Sequence, residues 1–70
     1  MSKQQKLARY LERISPGLEK LEYVYTVQEL LNLAKANTGR SEREYRQMME
    51  YDYGYPTASA NRIAKIVYEQ

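Results

Sequence analysis

The sequence predicts an all-α fold, a small bundle of four or five short helices in a single domain spanning residues 1–70. Apolar residues recur at helical spacing along most of the chain. Capping boxes, isolated glycines and prolines mark where individual helices begin and end. The one segment of strand-like composition, residues 23–27, has no partner strand elsewhere. We therefore expect that segment to be an extended linker or a helix end.

The first helix is predicted over residues 3–14, with Ser2 as its N-cap. Its apolar stripe follows the i, i+3, i+4, i+7 spacing of one helix face. The stripe consists of Leu7, Tyr10, Leu11 and Ile14. Four basic residues lie off this stripe, where they either contact phosphates or form an ordinary solvated face. They are Lys3, Lys6, Arg9 and Arg13.

A short second helix is predicted over residues 16–23, because proline suits the first position of a helix and Ser15 can cap it. Gly17 makes this helix marginal. The third helix, residues 27–36, begins at a capping box in which Thr26 and Glu29 exchange hydrogen bonds. Gly39 can take the left-handed conformation that ends it.

The last two helices are predicted over residues 42–53 and from residue 57 or 58 to residue 68. A second capping box, formed by Ser41 and Glu44, opens the first of them, and Gly54 ends it. We expect its inner stripe to contain Tyr45, Met48 and Met49, and that of the final helix to contain Ala60, Ile63, Ala64 and Val67.

The composition excludes several classes of site. The 70 residues include no Cys and no His, which removes disulfides, the usual zinc ligands and the commonest catalytic bases and nucleophiles. The three glycines stand alone, so no glycine-rich loop cradles a phosphate. We predict a protein that is not an enzyme and has no cofactor or metal. With no membrane-length apolar run and no signal-peptide pattern, we expect a cytoplasmic location and no membrane contact.

One segment of the chain has a spacing of residues that indicates how the protein could act. It is residues 53–65, Tyr-Gly-Tyr-Pro-Thr-Ala-Ser-Ala-Asn-Arg-Ile-Ala-Lys. With Gly54 as the turn glycine, apolar residues fall where two helices joined by a short turn pack together. These residues are Met49, Tyr53, Tyr55, Ala60 and Ile63. Over residues 46–65 the chain resembles the helix-turn-helix family of bacterial and phage DNA-binding regulators. It departs from the family at Glu50, where a small residue is usual, and at Pro56 in the turn.

The resemblance implies that the last helix contacts double-stranded DNA. Asparagine can pair with adenine and arginine with guanine in the major groove, while other basic residues contact phosphates. The positions implied on the last helix are Thr57, Ala58, Asn61, Arg62 and Lys65, with Arg43 and Arg46 as phosphate contacts. Ser59 and Thr57 could contact phosphate or cap the helix. The alternative to DNA contact is that these residues form an ordinary solvated helix face.

Two functions from different classes follow. The first is a small phage-like or mobile-element regulator of transcription or recombination, acting as a homodimer through the first helix or residues 23–27. The second is a protein-binding module, an inhibitor or antirepressor, that contacts a basic partner through tyrosines and neighbouring acids. Its candidate residues are Tyr23, Tyr25, Tyr51, Tyr53 and Tyr55.

Overall fold

The computed structural model, described for residues 2–19, 21, 24–36 and 39–69, confirms the all-α prediction. In that part of the chain there are four α-helices, one short 3₁₀ helix and no strand. The α-helices are α1 (Lys3–Ile14), α2 (Val27–Ala36), α3 (Glu42–Tyr51) and α4 (Thr57–Val67). The bounds predicted for the first and third helices, 3–14 and 27–36, agree with α1 and α2.

Three helices begin with a complete capping box. In each pair, the hydroxyl of the N-cap residue accepts the amide of the residue three positions on, whose side chain accepts the N-cap amide. All six bonds are 3.0–3.2 Å long. The pairs are Ser2 with Gln5, Thr26 with Glu29, and Ser41 with Glu44. Short-range chemistry alone therefore determines where α1, α2 and α3 start.

The second predicted helix, residues 16–23, is wrong in type and extent over the described residues, which form a 3₁₀ helix at Ser15–Leu18 and no helix at residues 19 and 21. Residues 20, 22 and 23 lie outside the described part of the chain. Ser15 does not cap it; its hydroxyl donates to the Glu12 carbonyl in α1 at 3.3 Å. Gly17 disfavours a longer helix because it has a large conformational freedom to lose. The Leu21 amide then donates to the Leu18 carbonyl at 3.0 Å, which continues the tight i to i+3 pattern.

Helix α4 is the centre of the core and packs against α1, α2 and α3. Its predicted inner face is confirmed as buried. The buried residues of α4 are Ser59, Ala60, Ile63, Ala64, Ile66 and Val67. The five apolar residues among these meet Leu7 of α1, Leu30 of α2, and Tyr45, Met48 and Met49 of α3 in one apolar cluster.

Tyr45 joins three elements inside this cluster. Its side chain is fully buried, and its hydroxyl donates to the Leu30 carbonyl of α2 at 2.8 Å. Its ring meets that of Tyr68 edge-on, with centroids 5.5 Å apart, and the Tyr68 hydroxyl donates to the Arg40 carbonyl at 3.0 Å. Burial raises the pKa of Tyr45, so the phenol stays neutral and keeps donating this hydrogen bond.

Replacing Tyr45 by Phe is expected to lower the free energy of unfolding by about 1 kcal/mol, because the ring remains but a buried hydrogen bond is lost. Urea denaturation followed by circular dichroism measures the change. Tyr51→Phe is the matched control: Tyr51 is 79% exposed, so we expect a change within about 0.5 kcal/mol. Equal effects of the two substitutions would contradict the assigned role of the Tyr45 hydroxyl.

Candidate nucleic-acid interface

A five-residue turn, residues 52–56, connects α3 to α4. Gly54 adopts a left-handed conformation with φ of +74°, and the Tyr55 amide donates back to the Met49 carbonyl at 3.0 Å. The prediction that Gly54 follows the end of this helix is confirmed, but α3 ends two residues before the predicted residue 53. The last helical hydrogen bond runs from the Asp52 amide to the Met48 carbonyl. The chain then turns, and the Tyr55 amide donates to the Met49 carbonyl.

Tyrosines hold this turn against the segment that precedes α2. Tyr55 is 3% exposed, and its hydroxyl accepts the Tyr25 amide at 3.1 Å. The ring of Tyr25 meets the ring of Tyr53 edge-on, with centroids 4.8 Å apart, an arrangement that aromatic pairs favour. The position of α4 relative to α3 is thus set by a glycine turn and by contacts from a distant part of the chain.

The face of α4 opposite the core is exposed, as its helical periodicity predicts. Arg62 and Lys65 lie on this face and form no ion pair with any residue that the structure describes. The exposed predicted residues of α4 are Thr57, Ala58, Asn61, Arg62 and Lys65. Ser59 is only 8% exposed, so the expectation that it contacts phosphate is wrong. The N-cap of α4 is Pro56, with no side-chain cap.

Two basic residues predicted on α3 differ in their surroundings. Arg43 is exposed in the first turn. Arg46 is half-buried, and its Nη1 lies 3.1 Å from Oε2 of Glu50, whose side chain is only 11% exposed. This pair explains how a glutamate is tolerated where the resembled family has a small residue, because a nearly buried carboxylate needs a compensating partner. Arg46 is consequently engaged within its own helix.

Helix α1 contributes a basic row that lies beside α4. Two adjoining hollows, of about 410 and 210 Å³, share Lys6, Arg62 and Ile66 in their walls. We call them together the α1–α4 groove. The first hollow is also bordered by Glu42, Lys65, Tyr68 and Glu69, and the second by Arg9, Tyr10 and Arg13. Arg62 belongs both to this groove and to the exposed face of α4.

The charge of the molecule is concentrated at this groove. Among the described residues, five basic and two acidic side chains border it, a formal +3, whereas the formal net charge of all 70 residues is +2. Clefts lined mainly by charges of one sign attract oppositely charged ligands more strongly than scattered charges do, so the groove suits an anionic ligand.

Glu69 is the acid most directly involved with the groove cations. Both of its carboxylate oxygens accept from Lys6 Nζ, at 2.7 and 2.8 Å. The hydrogen bond from Lys6 holds the pKa of Glu69 below its ordinary value, and the charges of Lys3 and Arg62 act in the same direction. Glu69 therefore occupies, in part, the space in which a ligand anion would meet Lys6.

The tyrosines of the alternative protein-binding surface are not presented together. Tyr55 is buried, Tyr25 and Tyr53 are half-buried against each other, and Tyr51 is exposed. Tyr23 lies outside the described residues. Burial removes Tyr55 from any contact surface, and most of the tyrosine area stabilises the turn instead.

Sequence reasoning identified the basic residues of α1 as a face but not their position beside α4. That proximity is produced by packing between segments about 50 residues apart, for which the sequence has no local signal. The Lys6–Glu69 pair, separated by 63 positions, was missed for the same reason.

No protein-family model, curated protein or solved structure matches the chain. Interpretation of the surface therefore depends on its own geometry and charge. Across the part of the chain that the structure describes, no three carboxylates cluster closely enough to hold a metal ion. Within the same residues, no helix is long and apolar enough to cross a membrane.

Replacing Gly54 by Ala is expected to destabilise the fold by about 1 kcal/mol, because a side chain disfavours the left-handed backbone. The added Cβ would meet Leu21 Cδ2 at an ordinary 3.7 Å, so the cost is conformational and not a clash. Gly17→Ala is the control, since nothing lies within 4 Å and its φ is not positive. We expect urea denaturation to show no loss of stability for that variant. An equally stable Gly54→Ala protein would argue against a turn that depends on positive φ.

Replacing Lys6 by Gln is expected to raise the pKa of Glu69 toward its ordinary value of 4.5. A lowered folded-state pKa means that the Lys6 contact stabilises the protein above the ordinary pKa and stops doing so as the pH falls through the folded-state pKa. Carboxyl titration by NMR measures the shift. Glu44 is an internal control, because its pKa is lowered by the Ser41 amide and hydroxyl instead. If the Glu69 pKa did not move, the contact would be absent in solution.

Proposed function

We propose that this protein is a small helix-turn-helix DNA-binding protein that contacts the major groove of double-stranded DNA with α4. The observation that carries the proposal is the exposed face of α4, on which Asn61, Arg62 and Lys65 are accessible and the two cations have no ion-pair partner among the described residues. A side chain must be accessible and free of internal partners to donate to base edges.

Three further features support the proposal. The helix α3, a glycine turn and α4 follow one another in the order of the motif. The departure at Glu50 is compensated by Arg46 and leaves the helix pair intact. The positive charge is concentrated beside α4, where it would attract the DNA backbone.

On this proposal the protein is a cytoplasmic regulator of transcription or recombination, of phage or mobile-element type. One such module contacts few bases, so useful specificity calls for a homodimer on two half-sites. Of the two dimer surfaces predicted from the sequence, the segment before α2 is favoured. Val24 in that segment is an apolar side chain that is 41% exposed, whereas one side of α1 lies at the basic groove.

The alternative, an inhibitor or antirepressor that binds a basic protein, has one supporting observation. Tyr51 is 79% exposed beside the exposed carboxylate of Asp52, and a tyrosine with an adjacent acid suits a cationic partner. This is a smaller surface than the one that five tyrosines would form.

The DNA proposal is tested by fluorescence-anisotropy titration with mixed-sequence duplexes at low and at moderate salt. We expect the parent protein to bind in about the micromolar range or better at low salt and to lose affinity steeply as salt rises. The double variant Arg62→Ala/Lys65→Ala should bind clearly more weakly, because it lacks both cations of the exposed α4 face.

Lys65→Ala and Lys35→Ala form a matched pair. Each removes one exposed lysine from the last turn of a helix, α4 in the first case and α2 in the second. The proposal requires a larger loss for Lys65→Ala than for Lys35→Ala. If the parent bound no duplex even at low salt, the DNA proposal would fail and the Tyr51 surface would become the leading candidate.

A further inference from the structure

We propose that the α1–α4 groove binds the backbone phosphates of a DNA strand that runs beside the bases contacted by α4. This inference rests on the proposed function and deepens it, because it assigns the N-terminal helix α1 a direct part in binding. The resemblance to the helix-turn-helix family covers only residues 46–65 and therefore implies nothing about α1.

The cations of α1 are arranged along one side of the helix. Residues three and four apart on a helix are neighbours, with Cβ atoms about 5–6 Å apart, so Lys6, Arg9 and Arg13 form a continuous row. At a rise of about 1.5 Å per residue this row is roughly 10 Å long. One strand of B-DNA has a phosphate for about every 3.4 Å of its axis, and because the strand winds around that axis its neighbouring phosphates lie farther apart than this, so the row can contact about two of them.

The smaller hollow of the groove is lined largely by arginines. Arg9, Arg13 and Arg62 border the same hollow of about 210 Å³. The planar guanidinium group matches the geometry of phosphate oxygens and can donate two parallel hydrogen bonds to them. Tyr10 and Ile66 complete the walls, and no acidic side chain among the residues that the structure describes borders this hollow.

The groove is continuous with the exposed face of α4. Arg62 lies on the exposed face of α4 and also on the wall of the groove, so one molecule can contact both surfaces at once. Phosphate contacts of this kind fix the register and orientation of a DNA-binding helix, whereas base contacts determine sequence preference. The groove would therefore add affinity without adding sequence preference.

Glu69 gives the inference a second, independent consequence. Its carboxylate is bound to Lys6, which borders both hollows of the groove, and it would repel an approaching phosphate. Removing that negative charge should strengthen binding to DNA if phosphates occupy the groove. A groove that merely faces solvent would be indifferent to the same change.

The test measures anisotropy with three duplexes of unrelated sequence over a series of salt concentrations, for the full chain and its variants. Arg9→Ala/Arg13→Ala should lose about tenfold in affinity at low salt, equally on all three duplexes. The slope of log K against log salt should fall in magnitude by about 1 to 2, as expected for one or two lost phosphate contacts. Both arginines are exposed, and thermal melting of the variant verifies that it folds.

Glu69→Gln should bind DNA about threefold more tightly than the parent at low salt. Glu19→Gln is its matched control, because Glu19 is exposed and borders neither hollow, and its affinity should equal that of the parent. The gain at Glu69 serves as the deciding readout if the arginine variant does not fold.

The outcomes separate the two proposals. If the parent and Arg9→Ala/Arg13→Ala bound equally while Lys65→Ala bound weakly, the groove inference would be overturned and the function of α4 would stand. A loss on only one duplex would also overturn it, because phosphate contacts are independent of sequence. If the parent bound no DNA at all, the proposed function would be wrong, and the groove inference, which rests on it, would be wrong as well.

Discussion

The burial of α4 is the constraint on which the rest of the structure depends. This helix packs against α1, α2 and α3, and six of its eleven residues are buried. A chain of 70 residues without cysteine has a small core and no covalent support, so it cannot spare this contact area. Ala60 and Ala64 allow close approach of the neighbouring helices because their side chains are short. The same packing holds the opposite, polar face of α4 in a defined position at the surface, which a DNA-contacting helix requires.

Tyrosine hydroxyls supply connections that a core of this size would otherwise lack. Tyr45, Tyr55 and Tyr68 each form a hydrogen bond with the backbone of a distant segment, respectively at Leu30, Tyr25 and Arg40. Each ring adds apolar area while its hydroxyl satisfies a backbone group. Phe could not form these contacts because it lacks a hydroxyl, and the sequence contains neither Phe nor Trp. The hydroxyls work as specific contacts between elements, and an abundance of tyrosine is accordingly a weaker indication of a binding surface than it is on sequence grounds alone.

The sequence predictions are accurate where the interactions join residues close together along the chain, and less accurate where they join distant ones. Helices α1 and α2 match residues 3–14 and 27–36 because capping boxes and apolar spacing act within one or two turns. The helix predicted over residues 16–23 was wrong over the described residues. Pro16 favours the start of a helix but Gly17 disfavours its continuation, and the chain forms only a 3₁₀ helix at Ser15–Leu18. The exposed face of α4 was predictable because helical periodicity places its charged residues away from the apolar ones. The pairing of Arg46 with Glu50 was open to prediction from their i, i+4 spacing, although its consequence for a phosphate contact depends on the burial of Glu50.

The amino-acid sequence by itself determined the all-α class, the starts of the helices and the division of α4 into a buried and a polar face. Each of these is encoded by neighbours along the chain, through hydrogen bonds and apolar spacing over a few residues. Only the tertiary structure decided that the cations of α1 lie beside Arg62, that Lys6 meets Glu69, and that Tyr55 is buried. These arrangements join residues that are 30 to 63 positions apart, and they depend on which helix faces pack together. The apolar pattern of the sequence shows that each apolar helix face must be buried. Which other helix buries it depends on how all the helices pack together.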